Sequence, residues 1–147
     1  MYRLLLVDDE PIILNSYFEM LSEAFKNELN VDKCQYSSQI PEKLTERIDI
    51  LITDIYMPKM TGYDVNQLIC QKWKNCRTIF ITGNESIESA RKVIRDSKNV
   101  VDYVLKLEDN ETLMQAVRKA IYELDHIMQE RELRENVRKY MAQSMPI

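Results

Sequence analysis

Glycine is almost missing from this chain. Its 147 residues include two, Gly62 and Gly83. A loop that cradles nucleotide phosphates needs several glycines in a fixed pattern, so the nucleotide-binding fingerprints are excluded. Histidine is scarcer: His126 is the single one, on a charged helical stretch without a ligand partner at helical spacing. It reads as a solvated surface residue rather than a zinc ligand or general base. The cysteines, Cys34, Cys70 and Cys76, are odd in number and form no C-x-x-C. They read as reduced, mostly buried thiols, with a redox or metal role as the alternative. No apolar run approaches the ~20 residues of a membrane helix. Acids follow the short apolar block of "MYRLLLVDDE" where a signal peptide has small residues. No targeting segment and no membrane association are read, and a cytoplasmic location is expected. A net charge of -4 argues against non-specific nucleic-acid binding by this chain itself.

What is present is an alternation of apolar runs and amphipathic segments, in a chain long enough for one domain with a core. "RLLLVDD", over 3–9, predicts a buried strand, and Pro11 suits the first turn of the helix that follows. Leu14, Phe18, Leu21 and Phe25 form that helix's apolar stripe. Asp8, Asp9 and Glu10 stand before it, where negative charge suits the helix dipole. "DKCQYS", over 32–37, is a weak second strand, and Pro41 opens a short helix to about Glu46. "DILITD" is a third strand, apolar on both faces as in a covered parallel sheet. A helix follows from Gly62 to about Lys74, then a strand "RTIFIT", a helix over 85–96, a strand "VVDYVLK", and a long helix from about Asn110. Strands alternating with helices predict an open α/β sheet with helices on both faces.

In such a sheet, ligands bind beyond the carboxyl ends of the strands. Asp8 and Asp9 end the first strand, Asp54 the third, Thr82 the fourth and Lys106 the fifth. Parallel strands would gather them at one edge. Crowded carboxylates stay ionised only if a cation joins them. All-oxygen ligands favour a hard ion, and Mg²⁺ fits one or two carboxylates plus waters. Lys106 is a fixed positive charge nearby. Thr82 offers a hydroxyl, and the Gly83 N–H is expected to approach closely because glycine has no side chain. Together these suit a phosphoryl group, with Asp54 as the nucleophile that forms an acyl phosphate. Each residue alone reads as a cap or a solvated charge; their joint order along the strands carries the inference.

These segments resemble the receiver domain of two-component response regulators. "LLLVDDEP" is similar to the family's first strand and acid pair, and "DILITDIYMPKMTGYD" to its phosphorylation segment, D-x-x-M-P-x-M-x-G. "IFITG" resembles the fourth strand with its switch threonine, and "DYVLK" the fifth with its aromatic residue and lysine. The likeness covers about residues 1–124. It implies a flavodoxin-like (βα)5 three-layer sandwich with a parallel sheet in the order 2-1-3-4-5 and an extended C-terminal helix. It implies that Asp54 accepts a phosphoryl group from a sensor histidine kinase. Asp9, Asp54 and the Tyr56 backbone carbonyl would ligate Mg²⁺, and Asp8 would hold a metal-bound water. Lys106, Thr82 and Gly83 would bind the phosphoryl oxygens. Tyr103 would be an aromatic switch that turns inward as Thr82 moves, biasing the face of the fourth helix, fifth strand and fifth helix. Tyr56 and Asn84 would tune dephosphorylation. One departure is local: the family has Lys-Pro with a cis bond where this chain has Lys106 and Leu107. A cis bond before leucine costs ~3 kcal/mol, so a trans peptide, an altered loop through Glu108 and a less secure Lys106 are expected.

The last helix carries Leu113, Val117, Ala120, Leu124 and Ile127 at coiled-coil spacing, then breaks register at Arg131 and Arg134. Apolar residues resume at Leu133, Val137 and Tyr140, with Glu130–Arg134 and Glu135–Lys139 expected as helical ion pairs. Residues 125–147 thus read as a solvated extension or a dimerising linker, the linker being preferred. "VLKLEDN" and the tail "LRENVRKYMAQSMPI" resemble YesN-like, AraC-type regulators, which implies a DNA-binding output domain outside this chain. Two other functions remain. A Mg²⁺-dependent aspartyl phosphohydrolase would want a second acid two residues after the nucleophile, where this chain has Tyr56. A single-domain signalling protein would work without DNA.

Overall fold

Strand β1 (Tyr2–Val7) shows how sequence becomes architecture. Leu4, Leu5, Leu6 and Val7 are all fully buried, yet side chains alternate across a strand, so apolar layers must cover both faces. They do. Leu4 and Leu6 pack with Ile50, Ile52, Ile79 and Ile81 under α1 (Pro11–Ala24) and the C-terminal helix (Asn110–Ser144). Leu5, Val7 and Leu51 pack on the other face with Ile40 of α2 (Ile40–Lys43) and with Val65 and Ile69 of α3 (Gly62–Lys72). At ~1.5–3 kcal/mol per buried aliphatic side chain, these two layers dominate stability.

The computed structural model describes residues 1–83, 97–106 and 109–144. The helix expected over 85–96, Asn84, the Lys106–Leu107 peptide and the loop through Glu108 lie outside the described residues. The sheet is wholly parallel, in the order β2-β1-β3-β4-β5, where β2 is Leu29–Cys34, β3 Ile50–Asp54, β4 Arg77–Thr82 and β5 Val100–Leu105. The three-layer arrangement expected from the sequence is therefore present.

Two expected boundaries are corrected. The second strand begins and ends three residues earlier than 32–37, pairing Tyr2 with Leu29 and Val7 with Cys34. It is an edge strand with only its two ends buried, so its apolar signal is faint. The helix opened by Pro41 stops at Lys43, short of Glu46.

The strand ends are held by local chemistry. The Thr61 hydroxyl accepts from the Asp64 N–H at 3.2 Å while the Asp64 carboxylate accepts from the Thr61 N–H at 3.1 Å, a reciprocal cap that starts α3. Asp109 accepts from the Thr112 N–H at 2.9 Å at the head of the C-terminal helix. That helix buries Leu113, Ala116, Val117, Ala120, Ile121 and Leu124. Over 125–144 no residue is buried. The expected ion pairs there are re-partnered: Glu130 lies 3.7 Å from His126 and Glu135 pairs with Arg138 at 3.5 Å, not with Arg134 and Lys139.

Candidate functional site

Because β1 has β2 on one side and β3 on the other, the winding direction reverses there, and a crevice opens above the carboxyl ends of β1 and β3. Asp8, Asp9 and Glu10 follow β1 into it, and Asp54 closes β3 beside them. Carboxylate oxygens of all four lie within 4.8 Å of one another. Asp8 is fully buried and Asp54 is 4% exposed.

Lys106 supplies the counter-charge from β5. The Lys106 N–H donates to the Thr82 carbonyl at 2.8 Å, continuing the β4–β5 ladder one step past Leu105. Its Nζ then lies 2.9 Å from Asp54 Oδ2, 2.8 Å from Glu10 Oε1 and 3.1 Å from Asp8 Oδ2. The ammonium thus contacts three of the four acids, while the residue that replaces the family's proline, Leu107, lies outside the described residues. Burial works to lower the Lys106 pKa, but hydrogen bonds to Glu10 and Asp54 and the Asp8 charge outweigh it and keep the group cationic.

One ammonium does not balance four acids. Burial pushes the Asp8 carboxyl up to about 6, against the Glu10 N–H and Lys106, which favour its ionised form. Burial also raises the Asp54 pKa, Lys106 opposes it, and the neighbouring Asp9 charge adds to the rise. Asp8 Oδ1 accepts from the Glu10 N–H at 2.9 Å, whereas Asp8 Oδ2 is buried with no hydrogen-bond partner; the ammonium near it is off the hydrogen-bonding line. A buried carboxylate oxygen without a donor, in an all-oxygen cluster of excess negative charge, is what a hard divalent cation satisfies. The residues present fit Mg²⁺.

The other expected residues are distributed as follows. Thr82 is buried at the end of β4, one strand from Asp54, and Gly83 is exposed beside it. Among the described residues, a Cβ added at Gly83 would meet Lys106 Cδ, at 4.0 Å. The required glycine is Gly62: its N–H donates to the Ile55 carbonyl at 2.7 Å, and a Cβ there would collide with the Asp54 carbonyl oxygen. Tyr56, two residues after Asp54, is 60% exposed. Tyr103 already points inward, 2% exposed, with its ring on Phe80 and its hydroxyl 2.7 Å from that of Tyr63. A cavity of about 410 Å³, bounded by Asp9, Tyr36, Ser37, Met57 and Lys59, opens beside the acids.

Sequence reasoning missed two contributors. Glu10 was read only as favourable charge at a helix start, yet it shares Lys106 with Asp54. Tyr63 was not singled out, though its place directly after the obligatory Gly62 fixes it beside β4.

The family described as response regulator receiver domain matches residues 4–118. The sensory transduction protein LytR of Staphylococcus haemolyticus is 29% identical over 135 residues, 87% of this chain and 51% of that protein. The transcriptional regulatory protein YesN of Bacillus subtilis, itself uncharacterised, is 26% identical over 84% of this chain and 33% of its own length. A solved structure of a two-component transcriptional regulator AraC from Clostridium phytofermentans superposes with a TM-score of 0.71 at 26% identity, covering 88% of this chain and 99% of that one. The chain thus spans about half or less of these curated relatives. The match of sequence segments, sheet order and acid-lysine crevice places this chain in the response regulator receiver domain family.

Proposed function

We propose that Asp54 is the phosphoacceptor of this domain and that a sensor histidine kinase is its donor. The observation that carries the reading is Lys106 Nζ 2.9 Å from Asp54 Oδ2 inside the acid cluster. An Asp54 carboxylate oxygen attacks the donor's phosphorus, the P–N bond to the donor histidine breaks, and an acyl phosphate forms on Asp54. Asp9 and Asp54, with the Tyr56 carbonyl, would hold Mg²⁺, and Asp8 would hold a water on it. When bound, the ion supplies positive charge that stabilises the phosphoryl oxygens. Lys106 exchanges Glu10 for a phosphoryl oxygen while keeping its contact to the Asp54 side, and the Thr82 hydroxyl and Gly83 N–H donate to the remaining oxygens. Tyr56, which is exposed, and Asn84 regulate access of the hydrolytic water.

The switch is the pair Thr82 and Tyr103. A phosphoryl group draws Thr82 toward it and favours the inward Tyr103, shifting a two-state equilibrium of the face that includes β5 and the C-terminal helix. Residues 1–124 are the receiver unit and 125–147 a linker. Leu133, Val137 and Tyr140, each more than half exposed, form the dimerising side of that linker. In the full-length protein the linker leads to a DNA-binding output of the AraC type, so the chain acts in transcription regulation from the cytoplasm.

Incubation with acetyl phosphate and Mg²⁺, followed by intact mass and sedimentation, tests this reading. A single stable phosphoryl adduct with a shift toward dimer supports it, and Asp54→Ala abolishes both. Multiple turnover of added phosphate esters would instead point to a phosphohydrolase.

A further inference from the structure

Lys106 has three N–H donors on Nζ, and among the described residues all three are committed to carboxylates. They go to Asp54 Oδ2 at 2.9 Å, to Glu10 Oε1 at 2.8 Å and to Asp8 Oδ1 at 3.2 Å. An incoming phosphoryl oxygen reaches the ammonium only where one of these carboxylates withdraws. Asp54 is the group being modified and stays in place. Asp8 is fully buried and is pinned by the Glu10 N–H at 2.9 Å. Glu10 differs from both: its side chain is 58% exposed, while those of Asp8, Asp54 and Lys106 are at most 5% exposed. It is the one of the three acceptors that can turn into water without opening the core. A second observation sets it apart. Glu10 is the N-cap residue of α1, with φ -90° and ψ 107°, and its side chain makes no capping bond. Its main chain builds the helix start, the carbonyl accepting from the Leu14 N–H at 2.9 Å, while the carboxylate turns away to Lys106.

We propose that the Glu10 carboxylate is a resident stand-in for a phosphoryl oxygen, a positioning residue that holds Lys106 in the resting chain and must be displaced for Asp54 to be phosphorylated. The inference rests on the phosphoacceptor reading of Asp54. Glu10 itself forms and breaks no covalent bond. Its ionic contact opens as a phosphoryl oxygen arrives and closes again when hydrolysis releases phosphate. Two effects act in the same direction. The exchange costs a charge-assisted hydrogen bond before the new one forms, and a carboxylate left beside the crevice repels a negatively charged donor. Both slow the gain of the phosphoryl group and favour its loss. Once displaced, the carboxylate stands at the N-terminal end of α1, where negative charge is favoured, so the exchange leaves the helix start intact.

The test compares Glu10→Gln with the parent chain, both in saturating Mg²⁺. Glutamine keeps the length of the side chain and removes its charge. Phosphorylation of Asp54 by subsaturating acetyl phosphate is expected to be about tenfold faster in Glu10→Gln, the low end for a hydrogen bond between charged groups at a half-exposed site. Beryllium trifluoride, a phosphoryl mimic, is expected to bind about tenfold tighter in calorimetry. Glu10→Ala, which also removes the carboxylate, is expected to shift both readings the same way. A side chain that serves only the helix start would change urea stability and leave both readings alone. One that ligates the metal would weaken binding of Mg²⁺ and of the mimic together. An Asp54 adduct that forms no faster in Glu10→Gln than in the parent, or a mimic bound no tighter, would overturn the proposal. No adduct at Asp54 in either chain would overturn the phosphoacceptor reading itself, and this inference with it.

Discussion

The hydroxyl of Tyr103 on β5 lies 2.7 Å from the hydroxyl of Tyr63 in the first turn of α3, and both rings pack on Phe80 at centroid distances of 5.0 Å. Tyr63 follows Gly62, the residue that closes against the Asp54 backbone. The loop that follows Asp54 is therefore tied to the inward rotamer of Tyr103 by one hydrogen bond. Removing it in Tyr63→Phe is expected to cost about 1 kcal/mol in urea unfolding. Burial, then the Tyr63 hydrogen bond, holds the Tyr103 phenol above its ordinary pKa. An absorbance titration of Tyr63→Phe should show Tyr103 ionising earlier; an unchanged titration would mean that the contact does not hold the ring.

Gly62→Ala places a methyl group against the Asp54 carbonyl oxygen, which is backbone and moves only with the loop. Overpacking of this kind costs about 1–3 kcal/mol. Chemical denaturation should show that loss, and phosphorylation by acetyl phosphate should slow. Gly83→Ala, with Lys106 Cδ the one described neighbour of the added group, should stay within about 0.5 kcal/mol of the parent.

Asp8 sets a pH signature in chelator. Its carboxyl titrates at about 6 in the folded chain against an ordinary 3.8. Between those values the folded state holds a proton that the unfolded state has released. Stability from this group is full below the lower value and is lost as pH rises through the upper one, roughly 3 kcal/mol in all. Asp8→Asn keeps an acceptor for the Glu10 N–H and removes the buried charge. Its stability advantage over the parent should be small near about pH 4, grow to about pH 6 and then level off. Mg²⁺ should shrink that advantage by stabilising only the parent. An Asp8→Asn chain less stable than the parent at neutral pH, in chelator, would contradict this electrostatic account.

The linker makes a separable prediction. Ending the chain after His126 keeps the bond from the Tyr2 hydroxyl to Asp125 at 2.6 Å and removes, among the described residues, only exposed ones apart from the partly buried Ile127. Urea unfolding should change by about 0.5 kcal/mol or less. Dimer formation on phosphorylation should weaken or vanish in sedimentation. A loss above about 2 kcal/mol would instead make the extension part of the domain's core.

The sheet and the acid crevice were legible for one physical reason. β1, β3 and β4 are covered on both faces, so they read as unbroken apolar runs, and the polar residue that ends each run marks the strand's carboxyl end. Asp8, Asp54 and Thr82 are placed by that rule. β2 escaped it because an edge strand with half-exposed middle residues has no apolar run. Glu10 and Tyr63 escaped for another reason. Their partners, Lys106 and Tyr103, are 96 and 40 residues away in sequence, and local pattern carries no record of such pairings. Gly62 and Gly83 look alike in sequence; the neighbour that a Cβ would meet separates them.

The most direct measurement is the chemical location of the phosphoryl group. After incubation with acetyl phosphate and Mg²⁺, borohydride reduces an acyl phosphate of aspartate to homoserine, which peptide mass mapping locates. Homoserine at position 54, with none in a parallel sample lacking Mg²⁺ and none in Asp54→Ala, is the predicted result. Homoserine at Asp8 or Asp9 in the wild-type chain, or an adduct that survives Asp54→Ala unchanged, would contradict it.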